Sequence, residues 1–255
     1  NINTAELGMA GGWGGTRAER QFVEKFPESE GGLVSSPNPG ATATYPKLYV
    51  PGSHQGNNPS ETSNSLSSPQ SNNIFEGYKY FPDPGTTIRF TRIPSSTAPI
   101  YGDSNNDGRL ELNGAPVVVP TAGLHYIRVN WTQLTYEIVR RDWFVAGPGV
   151  AAGQPVPMTW DANLRAMRAN LEMTAAGFNF VSSDPNANLG DNAGNGILTQ
   201  GGANIQKITA GGSYQILLFL NQPDYTYQIN STSFARRGIF HRPGQTLDID
   251  NVSLF

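Results

Sequence analysis

The stretch IYGDSNNDGRLELNG, residues 100–114, places side-chain oxygens at alternate positions ahead of a glycine, as calcium-binding loops do. The positions are Asp103, Asn105 and Asp107, followed by Gly108. An EF-hand loop closes with a bidentate glutamate at its twelfth position, and that position holds Gly114 here. Two prolines in the preceding FTRIPSSTAPIY also argue against a flanking helix. We therefore interpret the stretch as a polar turn between strands and predict no metal site.

Other catalytic patterns are scarce. The histidines, His54, His125 and His241, are far apart, and neither the zinc spacing H-E-x-x-H nor the nucleophile motif G-x-S-x-G occurs. The absence of cysteine excludes disulfides and thiolate chemistry. Paired loop carboxylates would suit a glycosidase, the remaining enzymatic alternative. Because Asp107 becomes Asn195 in a second copy of the same loop, we predict a non-enzymatic protein without a cofactor.

Polar loop side chains beside aromatic residues suggest a different chemistry, the binding of sugars. Sugars combine many hydroxyl groups with an apolar ring face, so their sites need planar amides and carboxylates next to an aromatic ring. One loop contains His54, Gln55 and Asn57, and another contains Tyr101, Asp103, Asn105 and Asn106. Such residues are also ordinary turn formers, so a purely structural role is the alternative.

Composition favours β-structure. Charged residues make up 15% of the 255 residues, whereas 29 glycines and 19 prolines indicate many turns between short strands. The net charge of -3 provides no basic surface for nucleic acid or an anionic membrane. No apolar run reaches membrane-spanning length, and the beginning of the sequence is unlike a signal peptide. We therefore expect no nucleic-acid partner and no membrane insertion within this chain.

The sequence contains an internal repeat of about ninety residues, the size of a β-sandwich module. The loop of residues 100–114 returns as NLGDNAGNGILTQGG at 188–202, and TAGLHYIRVNW at 121–131 returns as TAGGSYQILLFL at 209–220. Ile127 and Val129 alternate with polar residues, which is typical of a strand. The segment 161–177 has helix-forming composition, but we predict a strand because its counterpart in the first copy is strand-like.

The predicted organisation has five parts. Residues 1–30 contain one helix at 16–26, with Thr16 as its cap and Pro27 at its end; 31–44 form a linker; 45–140 and 141–232 form the two modules; 233–255 form a closing segment. The predicted fold is all-β, with two tandem immunoglobulin-like β-sandwich modules and a short N-terminal helical segment.

The repeated motifs resemble those of the SusE/SusF group, surface glycan-binding lipoproteins of Bacteroidota. The resemblance rests on LYVPGSHQGNNP, IFEGYKYF, IYGD with DGRLELNG, and TAGLHYIRVNW, followed by WFVAG, MTWD and a second GD loop. The flanks GGWGGTRAERQFVEKFP and ARRGIFHRPGQTLDIDNVSLF are similar to consecutive pieces of SusD-like (SusD/RagB) nutrient-binding proteins. The pattern suggests SusE-like modules inserted into a surface loop of a SusD-like protein.

The resemblance implies non-catalytic binding of an oligosaccharide or polysaccharide at the surface of a Gram-negative outer membrane. It also implies a SusC-like TonB-dependent transporter as partner and attachment through parts outside this chain. Places that carry tryptophan in many relatives lack it here, and Tyr101 and Trp160 are the expected aromatic replacements. In the second module the expected polar binding residues are Gln154, Asn188, Asp191 and Asn192. The alternative function is a structural or docking insert that contacts a transporter or a neighbouring lipoprotein and binds no sugar.

Overall fold

The computed structural model of the chain describes residues 34–35, 45–220 and 224–232. Within these ranges the chain forms nineteen strands, and its helical segments are two short 3-10 turns, Ser53–Gln55 and Pro185–Ala187. For the described residues, the prediction of an all-β fold is confirmed. The predicted helix at 16–26 and the segments 1–30 and 233–255 lie outside the described residues.

The first half of the described chain, residues 45–140, follows a short strand, β1 (Val34–Ser35), that falls within the predicted linker. The strands of this half are β2 (Lys47–Tyr49), β3 (Ser65–Ser67), β4 (Ile74–Phe81), β5 (Thr86–Ile88), β6 (Tyr101–Gly102), β7 (Glu111–Leu112), β8 (Val117–Val119), β9 (Gly123–Asn130) and β10 (Thr135–Arg140).

One five-stranded sheet dominates the first half, with the order β10-β9-β4-β3-β2. The pairs β5–β8 and β6–β7 are tied to it through isolated bridges, including Gly52 with Ile88 and Tyr49 with Thr91. As the alternation predicted, Ile127 and Val129 are fully buried in an apolar core.

The second half, residues 143–232, also contains nine strands in its described residues. Its strands are β11 (Trp143–Ala146), β12 (Val156–Pro157), β13 (Thr159–Asp161), β14 (Ala166–Met173), β15 (Asn179–Ser182), β16 (Leu189–Gly190), β17 (Thr199–Gln200), β18 (Gly212–Phe219) and β19 (Thr226–Ser231). They form two five-stranded sheets, β1-β19-β18-β14-β13 and β12-β11-β15-β16-β17.

The strand predicted within 161–177 is confirmed, because β14 pairs with β18 just as β4 pairs with β9. Its burial alternates, with Ala169, Leu171 and Met173 inside and Asn170 exposed. Burial of one strand face against a second core therefore outweighs the intrinsic helix propensity of this segment. The two apolar cores are separate clusters, one in each half.

The halves are packed against each other through the outer face of the first sheet. Tyr78 and Leu124 point away from the first core and belong to the apolar cluster of the second half. The ring of Tyr78 lies 5.8 Å from Trp143 and 5.5 Å from Tyr225, measured between centroids. This contact surface, which we call the boundary, creates the cavities described below.

Candidate functional site

Asp103 organises the loop between β6 and β7 from the inside. Its carboxylate is buried and accepts hydrogen bonds from the backbone N–H groups of Asn105 (3.1 Å), Asp107 (3.3 Å) and Gly108 (2.9 Å). The hydroxyl of Tyr136, on β10, donates a further bond of 2.8 Å. Every hydrogen bond that the carboxylate accepts comes from this chain, so its role is to hold the loop together.

The second half reproduces this arrangement at Asp191. The buried carboxylate accepts bonds from the N–H groups of Asn195 (3.2 Å) and Gly196 (2.8 Å) and from the hydroxyl of Tyr227 (2.9 Å). The Asp–Asn–Gly pattern that resembles a metal loop thus encodes a carboxylate-centred turn, used twice. Across the described residues, no cluster of three acidic or histidine side chains is placed to hold a metal ion.

The electrostatics of the two loops follow from these bonds. Burial alone would raise the pKa of Asp103, but the hydrogen bonds from Tyr136, Gly108 and Asp107 outweigh it and lower that pKa below its ordinary value. The pKa of Asp191 is lowered against the same effect of burial, by bonds from Gly196 and Tyr227. Burial and the bond to Asp103 raise the pKa of Tyr136. Both aspartates are therefore ionised acceptors at neutral pH.

The remaining predicted residues of these loops also serve the backbone or face solvent. Asn105 donates from its amide to Glu111 (2.6 Å), and Asn192 accepts from the N–H of Ala203 (2.8 Å). Asn188 accepts from the N–H of Ser182 (2.9 Å). Asn106 is an exposed turn residue with a positive φ of 54°. Asp191 and Asn192 also line a cavity of about 420 Å³ beside Lys207 and Tyr227.

Tyr101 lies at one end of the first half, and the His54 loop lies at the other. The Tyr101 ring meets Trp131 edge to face at 4.8 Å, and Trp131 follows the end of β9 that pairs with the beginning of β4. The His54 ring instead meets Phe81, the last residue of β4, at 5.1 Å. Eight paired residues separate these ends, roughly 25 Å along the strand. The structure therefore does not bring the two predicted loops together in one site.

His54, Gln55 and Trp160 do come together, although they belong to different halves. They line a cavity of about 360 Å³ at the boundary, which we call the boundary groove. The other lining side chains used below are Glu61, Asn64, Lys79, Tyr80 and Arg165. Trp160 stacks on Tyr80 with ring centroids 4.9 Å apart and planes 8° from parallel. The groove thus contains an aromatic pair, two amides and several charged groups.

The sequence of the loop after β2 explains its shape. Gly52 is required because a Cβ there would lie 2.8 Å from Nδ1 of His54 and 2.9 Å from Cγ2 of Ile88. Gly56 and Asn57 adopt positive φ angles of 70° and 55°, which turn the chain sharply after the 3-10 segment. Asn57 is exposed at this turn. The loop folds back on β5, where the N–H of Thr87 donates to Oγ of Ser53 (3.0 Å).

Two buried polar atoms in the groove wall have no hydrogen-bond partner in the described part of the chain. They are Nδ1 of His54 and Oε1 of Gln55. The opposite ring nitrogen of His54, Nε2, is 2.7 Å from Nδ2 of Asn64, which also donates to the carbonyl of Val50. Unpaired buried polar atoms are costly, and a hydroxyl group or a water molecule would supply the missing partners.

The ionisable groups of the groove carry shifted pKa values. Burial and the neighbouring charges of Lys47 and Arg165 lower the pKa of Lys79 to about 8. Burial and the Lys79 charge lower the pKa of His54, which is therefore neutral at pH 7. At pH 7 the groove therefore contains a neutral imidazole beside an ammonium group whose pKa is lowered.

A second cavity of about 370 Å³ lies across Tyr78 from the boundary groove. Its charged groups already have hydrogen-bond partners within the chain. The guanidinium of Arg141 donates to Asp184 at 2.8 Å, and the hydroxyl of Tyr126 donates to Glu76 at 2.7 Å. Gln154, the remaining predicted residue, lies in the exposed turn between β11 and β12 and lines neither cavity.

Sequence reasoning missed the contribution of Tyr80, Lys79 and Arg165 to this site. One signal was available, since Tyr78, Tyr80 and Tyr126 form an aromatic row on the strand faces opposite to Phe75 and Ile127. Aromatic residues on an outward face often indicate a contact surface. The partner of that row depends on tertiary packing, which strand alternation does not specify.

The comparisons with known proteins identify no family for this chain. No family model matches the chain, and the curated proteins contain no match to it. Within the described ranges, no helix is long and apolar enough to cross a membrane.

Proposed function

We propose that the chain binds an oligosaccharide or polysaccharide non-catalytically, in the boundary groove. The observation that carries the proposal is the placement of Gln55 and Asn64 beside the stacked pair of Trp160 and Tyr80. Amides bind the hydroxyl groups of a sugar, and the indole packs against its apolar ring face.

The expected affinity is weak, in the micromolar to millimolar range. Polar groups of the sugar and of the groove exchange water partners for each other, so each hydrogen bond contributes only about 1 kcal/mol. Multiple sites on one polysaccharide would raise the apparent affinity.

We further propose that the halves are tandem immunoglobulin-like β-sandwich modules of the SusE/SusF kind, inserted in a SusD-like protein. The matching strand pairs β4–β9 and β14–β18 support the tandem arrangement. The pairing of Val34 with Ile229 supports insertion, since it places the entry and the exit of the described region side by side. The corresponding location is the outer-membrane surface, with a SusC-like transporter as partner.

Affinity electrophoresis against a panel of polysaccharides tests the binding proposal. We expect retardation of the wild type by at least one polysaccharide and a loss of roughly 10-fold or more in affinity for Trp160→Ala, because its ring face is the platform. Gln55→Ala should weaken the same interaction without removing a core contact. Tyr101→Ala is the matched aromatic control and should bind like the wild type, because Tyr101 lies at the far end of the first half. Equal losses for Trp160→Ala and Tyr101→Ala would contradict the assignment to the groove.

The second candidate function is a docking insert. It is favoured by two exposed aliphatic side chains on strands that follow each other in the chain, Leu112 on β7 and Val118 on β8, each 57% exposed. Uniform absence of retardation across the panel, together with transporter binding that is lost in a Leu112→Ser/Val118→Ser variant, would establish this function in place of sugar binding.

A further inference from the structure

Two cations line the boundary groove without forming a direct ion pair in the described part of the chain. Lys79, on β4, and Arg165, in the turn between β13 and β14, both line the cavity. Neither forms an ion pair with any residue that the structure describes, whereas Arg140, Arg141 and Arg168 each pair with an aspartate at 2.7–2.9 Å. The paired arginines lie outside the groove, so both cations that line it are without an ion pair among the described residues.

The position of Lys79 makes its unpaired charge costly. The side chain is half-buried in the wall of the groove, and the charges of Lys47 and Arg165 repel it. Partial desolvation and repulsion both disfavour the charged form of this ammonium group in the free protein. A bound anion would stabilise the charged Lys79 side chain and offset its repulsion by the other cations, so the free groove favours an anionic ligand.

The acidic side chain in the groove lining does not neutralise the two cations. Glu61 is exposed, and its Oε1 accepts a hydrogen bond from the N–H of Ser63 at 2.8 Å. The bonds from Ser63 and the nearby charge of Arg165 lower the pKa of Glu61, so it remains ionised and offsets one of the two positive groups. The His54 ring adds no opposing charge. The groove therefore has a positive excess, although the whole chain has a net charge of -3.

We infer that the ligand of the boundary groove is an anionic glycan, whose carboxylate or sulfate group pairs with Lys79 and Arg165 while its sugar ring packs on Trp160. This inference rests on the proposed function and narrows the ligand class. The second cavity offers no such site, because Arg141, the cation in its lining, is paired with Asp184, and Glu76 adds a further negative charge.

The test compares charged and neutral forms of the same polymers. Polygalacturonate and its carboxyl-reduced form provide the carboxylate arm, and a sulfated galactan with its desulfated form provides the sulfate arm. We expect affinity for at least one acidic form to exceed that for its neutral partner about 10-fold or more, and to decrease as sodium chloride is raised. The arm that shows the difference identifies the anionic group.

Variants distinguish a specific site from general attraction. Lys79→Gln and Arg165→Gln should each reduce affinity for the acidic form about 10-fold and thereby remove most of its preference over the neutral form. Arg109→Gln is the matched control, because Arg109 is also exposed and outside the ion pairs of the described residues, but lies in the Asp103 loop. Circular dichroism of Arg165→Gln, an exposed turn substitution, verifies that the fold is retained.

The outcomes separate this inference from the function on which it rests. Equal affinity for the acidic and neutral forms, lost in Trp160→Ala but unchanged in Lys79→Gln and Arg165→Gln, would overturn the anionic ligand and leave sugar binding in place. Equal weakening by Arg109→Gln and Arg165→Gln would also overturn it, as general attraction. Absence of binding to every polymer, acidic or neutral, would overturn both.

Discussion

The two buried aspartates stabilise their loops from within. Asp191 accepts two backbone bonds and one tyrosine bond, all beneath the surface of the second half. Replacing it by alanine leaves those donors unpaired. We expect Asp191→Ala to lower the free energy of unfolding by about 2–4 kcal/mol, measured by urea denaturation.

The control for this prediction is Asp107→Ala in the equivalent loop of the first half. Asp107 is exposed, and its carboxylate accepts from the N–H of Arg109. Its loss should cost less than about 1 kcal/mol. Similar losses for Asp191→Ala and Asp107→Ala would contradict an organising role for the buried carboxylate.

Lys79 gives the stability of the protein a distinctive dependence on pH. Its pKa is about 8 in the folded state against an ordinary value of 10.5, so the unfolded chain binds more protons between these values. Stability therefore rises with pH across this window, by about 1–2 kcal/mol for a half-buried group. Above about pH 10 it should fall again, because burial and hydrogen bonding raise the pKa of Tyr126 and Tyr227 above that of unfolded tyrosine.

Urea denaturation at about pH 7 and about pH 9.5 measures this rise. Lys79→Met should abolish it, since the titrating group is gone. A rise that persists in Lys79→Met would assign the effect to another group.

At the scale of elements, the loop between β6 and β7 depends on a close crossing of two backbone segments. A Cβ at Gly114 would lie 2.6 Å from the carbonyl oxygen of Gly102, and a Cβ at Gly102 would likewise lie 2.6 Å from that of Gly114. Gly190 and Gly202 repeat the crossing in the second half. The repeated glycines of the sequence are therefore explained by backbone contact.

Gly102→Ala should consequently destabilise the first half by about 3 kcal/mol or more, because the neighbouring atoms are backbone and have little room to shift. Thermal unfolding followed by circular dichroism measures the loss. Gly77→Ala is the control, since its Cβ would make an ordinary contact of 3.4 Å with Leu66 and should change stability by less than about 1 kcal/mol. Equal effects of the two substitutions would refute the crossing as the reason for glycine.

Strands were predictable because their signals are local or repeated. The alternation of Ile127 and Val129 identified β9 directly, and comparison of the two copies identified β14 despite its helix-forming residues. The boundary was not predictable in this way. Tyr80 stacks on Trp160, eighty positions further along the chain, and no periodicity records that contact. The sequence therefore predicted His54, Gln55 and Trp160 as binding residues, but it did not predict that they lie in the same groove.

At the scale of the whole molecule, the boundary couples the two halves. Tyr78 is 6% exposed and contacts Trp143 and Tyr225 of the second half. A well-packed boundary of this kind makes the halves unfold together. We expect a single thermal transition for the wild type.

Tyr78→Ala should remove about 3–5 kcal/mol of packing from the boundary and split unfolding into two transitions, resolved by differential scanning calorimetry. Tyr101→Ala is the control, because it weakens the first half without touching the boundary. A single transition in Tyr78→Ala, merely shifted to lower temperature, would show that the halves are coupled by other contacts.

The stack of Trp160 on Tyr80 also gives the protein an intrinsic optical reporter. Trp160 is one of four tryptophans, and its indole lies against a phenol at the rim of the groove, whereas Trp143 is enclosed at 1% exposure. Emission from Trp160 responds to whatever replaces the solvent beside it. Arrival of a sugar at this rim would thus change the colour and yield of the protein's own fluorescence, and titrations need no label.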